Sequence, residues 1–203
     1  GPGDLAAVAR LLPRHGRPDP LLPGSPASPP GLLPVATETP RGALRVAETA
    51  AAAGVRAVTW GAEDLSAALG GLRNRDRSGR YLPLYEHLRH QTLLAAAAAG
   101  VCPIDGVYVD HGDLDGLAAE AETAAWLGFQ GKMTIHPAQI DVVNEAFTPS
   151  AAVLEEARAL VDAFETARAE GRYAFTFRGA MVDAPHLARA QRAIALAQAL
   201  GSS

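Results

Sequence analysis

The chain has 203 residues, 48% hydrophobic and 20% charged, enough for one sizeable core with globular composition. A formal net charge of −4 and an aromatic content of 5% leave no basic footprint and no stacking platform, so nucleic acid is excluded as an expected partner. The single Cys102 cannot form an internal disulfide. The longest apolar run, residues 93–104, is too short to span a bilayer, and no positively charged start followed by an apolar segment is visible. The expectation is therefore a cytoplasmic protein with no membrane partner.

Residues 1–34 read as a Pro-rich irregular leader, set apart from a domain over 35–203. Residues 4–12 carry two predicted helical turns with Asp4 as N-cap. Pro18, Pro20, Pro23, Pro26, Pro29 and Pro30 then remove backbone donors, which rules out a central strand or a long helix. From Leu32 the texture changes. A strand is predicted over 33–37. Thr39 as cap and Pro40 at the first helical position start a helix that runs to about Ala53 and stops at Gly54. A buried strand covers 55–60, and a short helix 64–69 breaks at Gly70-Gly71. Residues 74–79 form a charged loop.

A long helix over 82–99 ends at Gly100, and a strand over 104–109 ends in Asp110. A helix over 114–127 ends at Gly128, and a strand over 132–135 runs into His136-Pro137. Pro137 opens a helix to about Phe147, and Thr148-Pro149-Ser150 caps another over about 151–170. Residues 173–177 are extended, Arg178-Gly179 turns, and a last helix covers 185–200. Three times, an Ala-rich helix ends in glycine, a strand follows, and a polar group sits near the strand's end (Asp64, Asp110, His136). Such alternation means parallel strands with right-handed crossovers. The apolar run 57–60 means both faces are covered. The class is α/β, a barrel or an open sheet. No Gly-x-Gly-x-x-Gly follows a strand, so a dinucleotide fold is not expected. Glu38 and Asp64 each follow a strand, and carboxylates at strand C-termini are where such folds keep their chemistry.

Six motifs occur in order: Thr37-Glu-Thr-Pro-Arg-Gly42, Gly61-Ala-Glu-Asp-Leu65, Ile104-Asp-Gly-Val-Tyr-Val-Asp110, Gly128-Phe-Gln-Gly-Lys-Met-Thr-Ile-His-Pro-Ala-Gln-Ile140, Phe147-Thr-Pro-Ser150 and Gly179-Ala-Met-Val-Asp-Ala-Pro185. Together they resemble the citrate lyase beta subunit and malyl-CoA lyase group of the HpcH/HpaI aldolase family, over about residues 32–200. The resemblance implies a TIM-type (β/α) barrel, incomplete here, with a Mg2+ site at the strand C-termini. It implies a carbon–carbon lyase that cleaves a 3-hydroxyacyl-CoA thioester into an acyl-CoA and a keto acid. It implies Glu38 and Asp64 as metal ligands, and Asp183 as an acid/base supplied within a homo-oligomer, a trimer or higher.

The pattern also departs from the family. The N-terminal strand–helix units that carry a substrate-binding arginine are not identifiable, and Gly24 and Pro26 replace a lysine and an acid of the family's fourth strand. A metal-dependent aldolase on free hydroxy-keto acids, and a catalytically impaired partner subunit, are the alternatives.

Two carboxylates suit a hard divalent cation, which takes one or two of them plus water and substrate oxygens; otherwise each caps the helix that follows it. Glu63 is read as support for Asp64 or the helix start. Gly61 and Ala62 either offer N–H groups to a substrate carboxylate or form a plain turn. Asp183 is either the acid/base or the cap of the last helix. His136 is read as a structural hydrogen-bonder ahead of Pro137, and on the resemblance Ile135, His136 and Pro137 line the CoA channel. Asp105 is read as structural and Asp110 as shaping the pocket. Lys132 lies roughly 10 Å from the strand's active end at ~3.3 Å per residue, which disfavours a Schiff base.

Overall fold

A computed structural model describes residues 1–11 and 31–200, and the chain divides into two units, Gly1–Val143 and Asn144–Ser203. Most of the Pro-rich leader, including Pro18 to Pro30, lies outside the described residues. The leader's first turns are helical over α1 (Pro2–Leu11), so the helix starts earlier than a cap at Asp4 predicts. Asp4 sits in the first turn.

In the first unit, four extended segments lie side by side, parallel and in sequence order. Residues 32–36 meet 55–59 through Leu32↔Val55 and Val35↔Thr59. Next, β1 (Ala57–Val58) pairs with β2 (Cys102–Pro103) in the register Ala57↔Cys102. Asp105↔Lys132 brings in the fourth segment. Regular ladders are short because Pro34 and Pro103 donate no N–H, although both carbonyls accept bonds from a neighbour. Among the described residues no bridge joins the first segment to the fourth, so the sheet is open.

The connections carry α2 (Pro40–Ala43), α3 (Val46–Ala50), α4 (Glu63–Ala68), α5 (Pro83–Ala99) and α6 (Leu114–Leu127). Thr39 and Pro40 do start a helix, with Thr39 Oγ1 accepting from Gly42 N–H, but the single helix expected to Ala53 is two pieces. At Gly42 a Cβ would stand 2.6 Å from the Ala36 carbonyl, so α2 is pressed onto the strand that precedes it. The chain then leaves helical geometry at Arg45 and re-aims α3, which buries Val46, Thr49 and Ala50. Both α5 and α6 end on left-handed glycines, Gly100 (φ 67°) and Gly128 (φ 110°), where an L side chain would be strained. The consecutive residues Val58, Thr59 and Trp60 are all buried, as a segment covered on both faces requires. Ala95 and Ala96 of α5 pack with Val58, Val46 and Ala36, and Leu65, Tyr85 and Leu88 pack around Trp60.

The third strand ends earlier than residues 104–109 predict. A Cβ at Gly106 would lie 2.9 Å from the Trp60 carbonyl, and beyond it the chain leaves the ladder. Tyr81 Oη donates to the Val107 carbonyl at 3.3 Å and Gln139 Nε2 donates to the Tyr108 carbonyl at 2.8 Å. Side chains thus satisfy acceptors that a neighbouring strand would otherwise take.

Asp105 is the electrostatic hub of this unit. Fully buried, it accepts from Trp60 Nε1 (2.8 Å), Arg89 Nε (3.0 Å), Arg89 Nη2 (2.9 Å) and Lys132 Nζ (2.8 Å). Lys132 also donates to Glu120 Oε1 at 2.8 Å, and Glu120 pairs with Arg75 at 2.6 Å. Arg75 stacks over the Tyr81 ring at 3.6 Å. Burial works to raise the Asp105 carboxyl, but Lys132 and Arg89 outweigh it and hold the group below the usual carboxylate range.

At the first unit's end, Pro137–Gln139 forms a 3-10 turn that leads into α7 (Ile140–Phe147). In the second unit, α8 (Ala151–Ala169) is capped by Ser150 Oγ, buries Leu154, Ala157 and Phe164, and packs on α9 (Ala184–Ala199). Between them β3 (Phe175–Phe177) and β4 (Ala180–Val182) form an antiparallel hairpin, so the extended stretch expected at 173–177 has a partner strand. Its two turn residues, Arg178 and Gly179, both have positive φ, as a right-twisted two-residue hairpin demands. Among the described residues no helix is long and apolar enough to cross a membrane.

Candidate functional site

The first and second parallel segments end next to one another, and each end carries an exposed acid. Ala36 N–H donates to the Thr59 carbonyl at 2.8 Å, the last main-chain bond between them. One residue on, the Thr37 side chain takes over. Its Oγ1 accepts from Gly61 N–H at 2.9 Å and donates to the Gly61 carbonyl at 2.7 Å. Glu38 follows Thr37, and its side chain lies over Gly61: a Cβ there would stand 3.4 Å from Glu38 Cγ and 3.9 Å from Oε1. Ala62 is the N-cap of α4, Glu63 its first residue and Asp64 its second.

The two acids of α4 have different fates. Glu63 Oε1 accepts from Asn74 Nδ2 at 2.7 Å, so Glu63 anchors the loop before α5. Asp64 caps nothing, since the N-cap is Ala62. Among the described residues, neither Glu38 nor Asp64 accepts a hydrogen bond or makes an ion pair. Two free, exposed carboxylates on adjoining strand ends are hard oxygen donors suited to Mg2+, which needs few protein ligands. No group of three or more His, Cys, Asp or Glu residues able to hold a metal occurs among the described residues. The remaining positions around such an ion fall to water and substrate. Of the two readings of Gly61, the plain turn fits its N–H, which donates to Thr37 Oγ1 and is not free for a substrate carboxylate.

At the exits of the third and fourth segments stand two histidines. His136 is the N-cap of the 3-10 turn, and its Nδ1 accepts from Ala138 N–H at 3.2 Å. A neutral His136 therefore carries its proton on Nε2. Its ring stacks on His111, with centroids 4.9 Å apart and planes at 20°. Ile135 is exposed, and its N–H donates to Gln139 Oε1 at 2.9 Å. Gln139 is fully buried and bonds both loops, so it holds the Ile135-His136-Pro137 turn against the Tyr108 strand exit. No local sequence pattern marks His111 or Gln139 as functional. The available signal was the position of His111 directly after Asp110, at the same strand exit. Asp110 is exposed and accepts from Gly112 N–H at 3.1 Å.

Asp183 belongs to the second unit, where it is the N-cap of α9. Its Oδ1 lies 2.6 Å from His186 Nδ1. Tyr108 donates to Asp113 at 2.6 Å, and burial together with that bond pushes its hydroxyl up to about 12. Lys132, with no side-chain exposure and two carboxylate partners, is a structural cation.

A family model described as HpcH/HpaI aldolase/citrate lyase matches residues 29–137. The mitochondrial citramalyl-CoA lyase of Mus musculus is 40% identical over 144 residues, covering 71% of this chain and 41% of that protein. A citrate lyase subunit beta-like protein of Mycobacterium tuberculosis (strain CDC 1551 / Oshkosh) is 43% identical over 145 residues, covering 71% of this chain and 52% of that one. The chain thus spans about half the length of the curated relatives it matches. Among solved structures, the M. tuberculosis protein CitE in complex with magnesium, acetoacetate and coenzyme A superposes with a TM-score of 0.72. It is 42% identical, over 79% of this chain and 58% of that one.

Proposed function

The chain belongs to the HpcH/HpaI aldolase/citrate lyase family, and from that membership we propose that it acts as a Mg2+-dependent carbon–carbon lyase on CoA thioesters. The open parallel sheet is then part of a TIM-type barrel, with the Glu38 and Asp64 ends at its catalytic face. The substrate class is a 3-hydroxyacyl-CoA that bears a carboxylate beside the hydroxyl, such as citramalyl-CoA, malyl-CoA or citryl-CoA. The observation that carries the reading is the pair of carboxylates, Glu38 and Asp64, without partners among the described residues and brought to adjoining strand ends by the Thr37–Gly61 bonds.

Glu38 and Asp64 hold the cation, which when bound offers Lewis-acid stabilisation of charge developing on the substrate's hydroxyl oxygen. The reaction breaks the bond between the α-carbon and the hydroxyl-bearing carbon. The hydroxyl gives up its proton to solvent water and becomes the keto group of the keto acid. The α-carbon leaves with the electron pair as a thioester enolate, which takes up a proton to give the acyl-CoA. Asp183, supplied from a second copy of the chain in a homo-oligomer, delivers that proton in its acid form and removes it in the reverse direction. His186 beside it orients the carboxyl group. Ala62, with Gly61 and Glu63 shaping the turn around it, faces the substrate carboxylate. Ile135, His136 and Pro137 line the path of the CoA arm. Its thioester and the keto acid are the small-molecule partners.

The test is direct. Calorimetry should show Mg2+ binding to the parent chain and none to Glu38→Gln or Asp64→Asn, with both variants folded. Unchanged Mg2+ affinity in either variant defeats the reading. Release of acetyl-CoA from the three thioesters, sensitive to EDTA, identifies the substrate. Cleavage of free hydroxy-keto acids with no acetyl-CoA binding would point instead to the CoA-independent aldolase.

A further inference from the structure

We infer that Thr37 is a positioning residue that sets the spacing between Glu38 and Asp64. The inference rests on the proposal that these two carboxylates hold the divalent cation. Neither acid has a protein partner among the described residues, so nothing but the backbone on either side places it. That backbone is joined at one point beyond the ladder. Thr37, with no exposed surface, satisfies both the N–H and the C=O of Gly61, 24 residues away, with a single hydroxyl.

Glu38 is the next residue after Thr37, and Asp64 lies one helical turn beyond Gly61. The other flank of the turn is equally fixed, since Trp60 Nε1 donates to the buried Asp105 at 2.8 Å. Gly61 therefore stands between two anchors, and only the Thr37 anchor reaches both acid-bearing strand ends. A Cβ at position 61 would be 3.3 Å from Val35 Cγ1 and 3.4 Å from Glu38 Cγ, so the Glu38 side chain lies close over this turn. The hydroxyl is the working group. Valine has the shape of threonine but no donor or acceptor, while serine keeps the hydroxyl and loses only a methyl group.

A purely structural Thr37 and a positioning Thr37 differ in what they predict for the folded molecules. Removing the hydroxyl lowers stability in both cases. Only in the second does it weaken the cation's site among chains that remain folded. The experiment measures Mg2+ by calorimetry and Mn2+ by paramagnetic resonance, on the full chain, well below each variant's unfolding temperature. Thr37→Val should bind both ions about tenfold more weakly, the lower end of the effect typical of groups that orient metal ligands. Thr37→Ser should recover the parent affinity even where its stability is lower.

Parent-like affinity in Thr37→Val, or a Thr37→Ser variant as weak as Thr37→Val, overturns the inference. If Thr37→Val does not fold, Thr37→Ala, which likewise lacks the hydroxyl, is judged by the same affinity criterion. Asp64→Asn separates the two levels. Loss of binding there with parent-like Thr37→Val defeats the positioning role alone. Retained binding in Asp64→Asn defeats the metal site and this inference with it.

Discussion

Replacing Asp105 with asparagine should be the most damaging single polar substitution in the first unit. The amide keeps an acceptor for Trp60 but loses the charge that Arg89 and Lys132 share. Lys132 still has Glu120 at 2.8 Å. Arg89, whose side chain is 4% exposed, is left with Glu86 at 3.5 Å and the Glu120 carbonyl at 3.4 Å, both long. The loss therefore falls on one stranded, buried guanidinium. Breaking a buried pair by removing one partner costs about 3–5 kcal/mol, which for a unit of this size lowers the unfolding temperature by roughly 6–20 °C.

Urea unfolding followed by tryptophan fluorescence measures it. Trp60 is 2% exposed and Trp126 is 76% exposed, so the spectral shift reports Trp60. The folded-state carboxyl is held below its ordinary value, so its contribution is fully present above the unfolded-state value and is lost as pH falls through the folded one. The gap between parent and variant should thus be flat from neutral pH down to about pH 5 and shrink below about pH 4. Adding Arg89→Met removes the stranded cation, so the double variant should be less destabilised than additivity predicts. A single-variant loss under about 1 kcal/mol, the scale of one ordinary hydrogen bond, would refute the hub reasoning.

Gly61→Ala should fold with a stability change within about 1 kcal/mol and keep Mg2+ affinity close to the parent's, because the added methyl presses only on Val35 Cγ1 at 3.3 Å and meets Glu38 Cγ at 3.4 Å, an ordinary contact; calorimetry beside a urea titration reads both, and lost Mg2+ binding in the folded variant contradicts it. Borohydride with pyruvate should add no mass at Lys132, whose amine is shielded from solvent and paired with Asp105 and Glu120; a reduced adduct on that peptide would show the amine to be a nucleophile.

The helix ends were legible because their signals are local. Gly100 and Gly128 stop α5 and α6 with positive φ, and Ser150 opens α8 through its own hydroxyl. Each of these acts within one helical turn. The parallel order of the segments was legible too, since strand–helix alternation permits little else. Where the strands end was not. Residues 104–109 are apolar enough to read as a strand, but the ladder closes at Asp105 because Gly106 lies against Trp60 and later carbonyls go to Tyr81 and Gln139. The break at Arg45 has the same kind of origin, in the fit of Gly42 against the Ala36 carbonyl.

The candidate site divides along the same line. Motif order and residue type mark Glu38 and Asp64 as acids after strands, and the sequence by itself determines that both follow the C-terminal ends of parallel segments. Only the tertiary structure decides which acids are free. Glu63 and Asp64 are neighbours of the same charge, yet Asn74 bonds one, and among the described residues the other has no partner. Asp105 and Asp110 flank one motif, yet one is the buried hub of three cationic or polar partners and the other is an exposed turn residue. The contacts that make these distinctions span 11 to 45 residues. Hydrophobic period, capping and turn chemistry act over about four residues, so they place an acid on a strand end. Whether a distant donor meets it there depends on how the strands and helices pack.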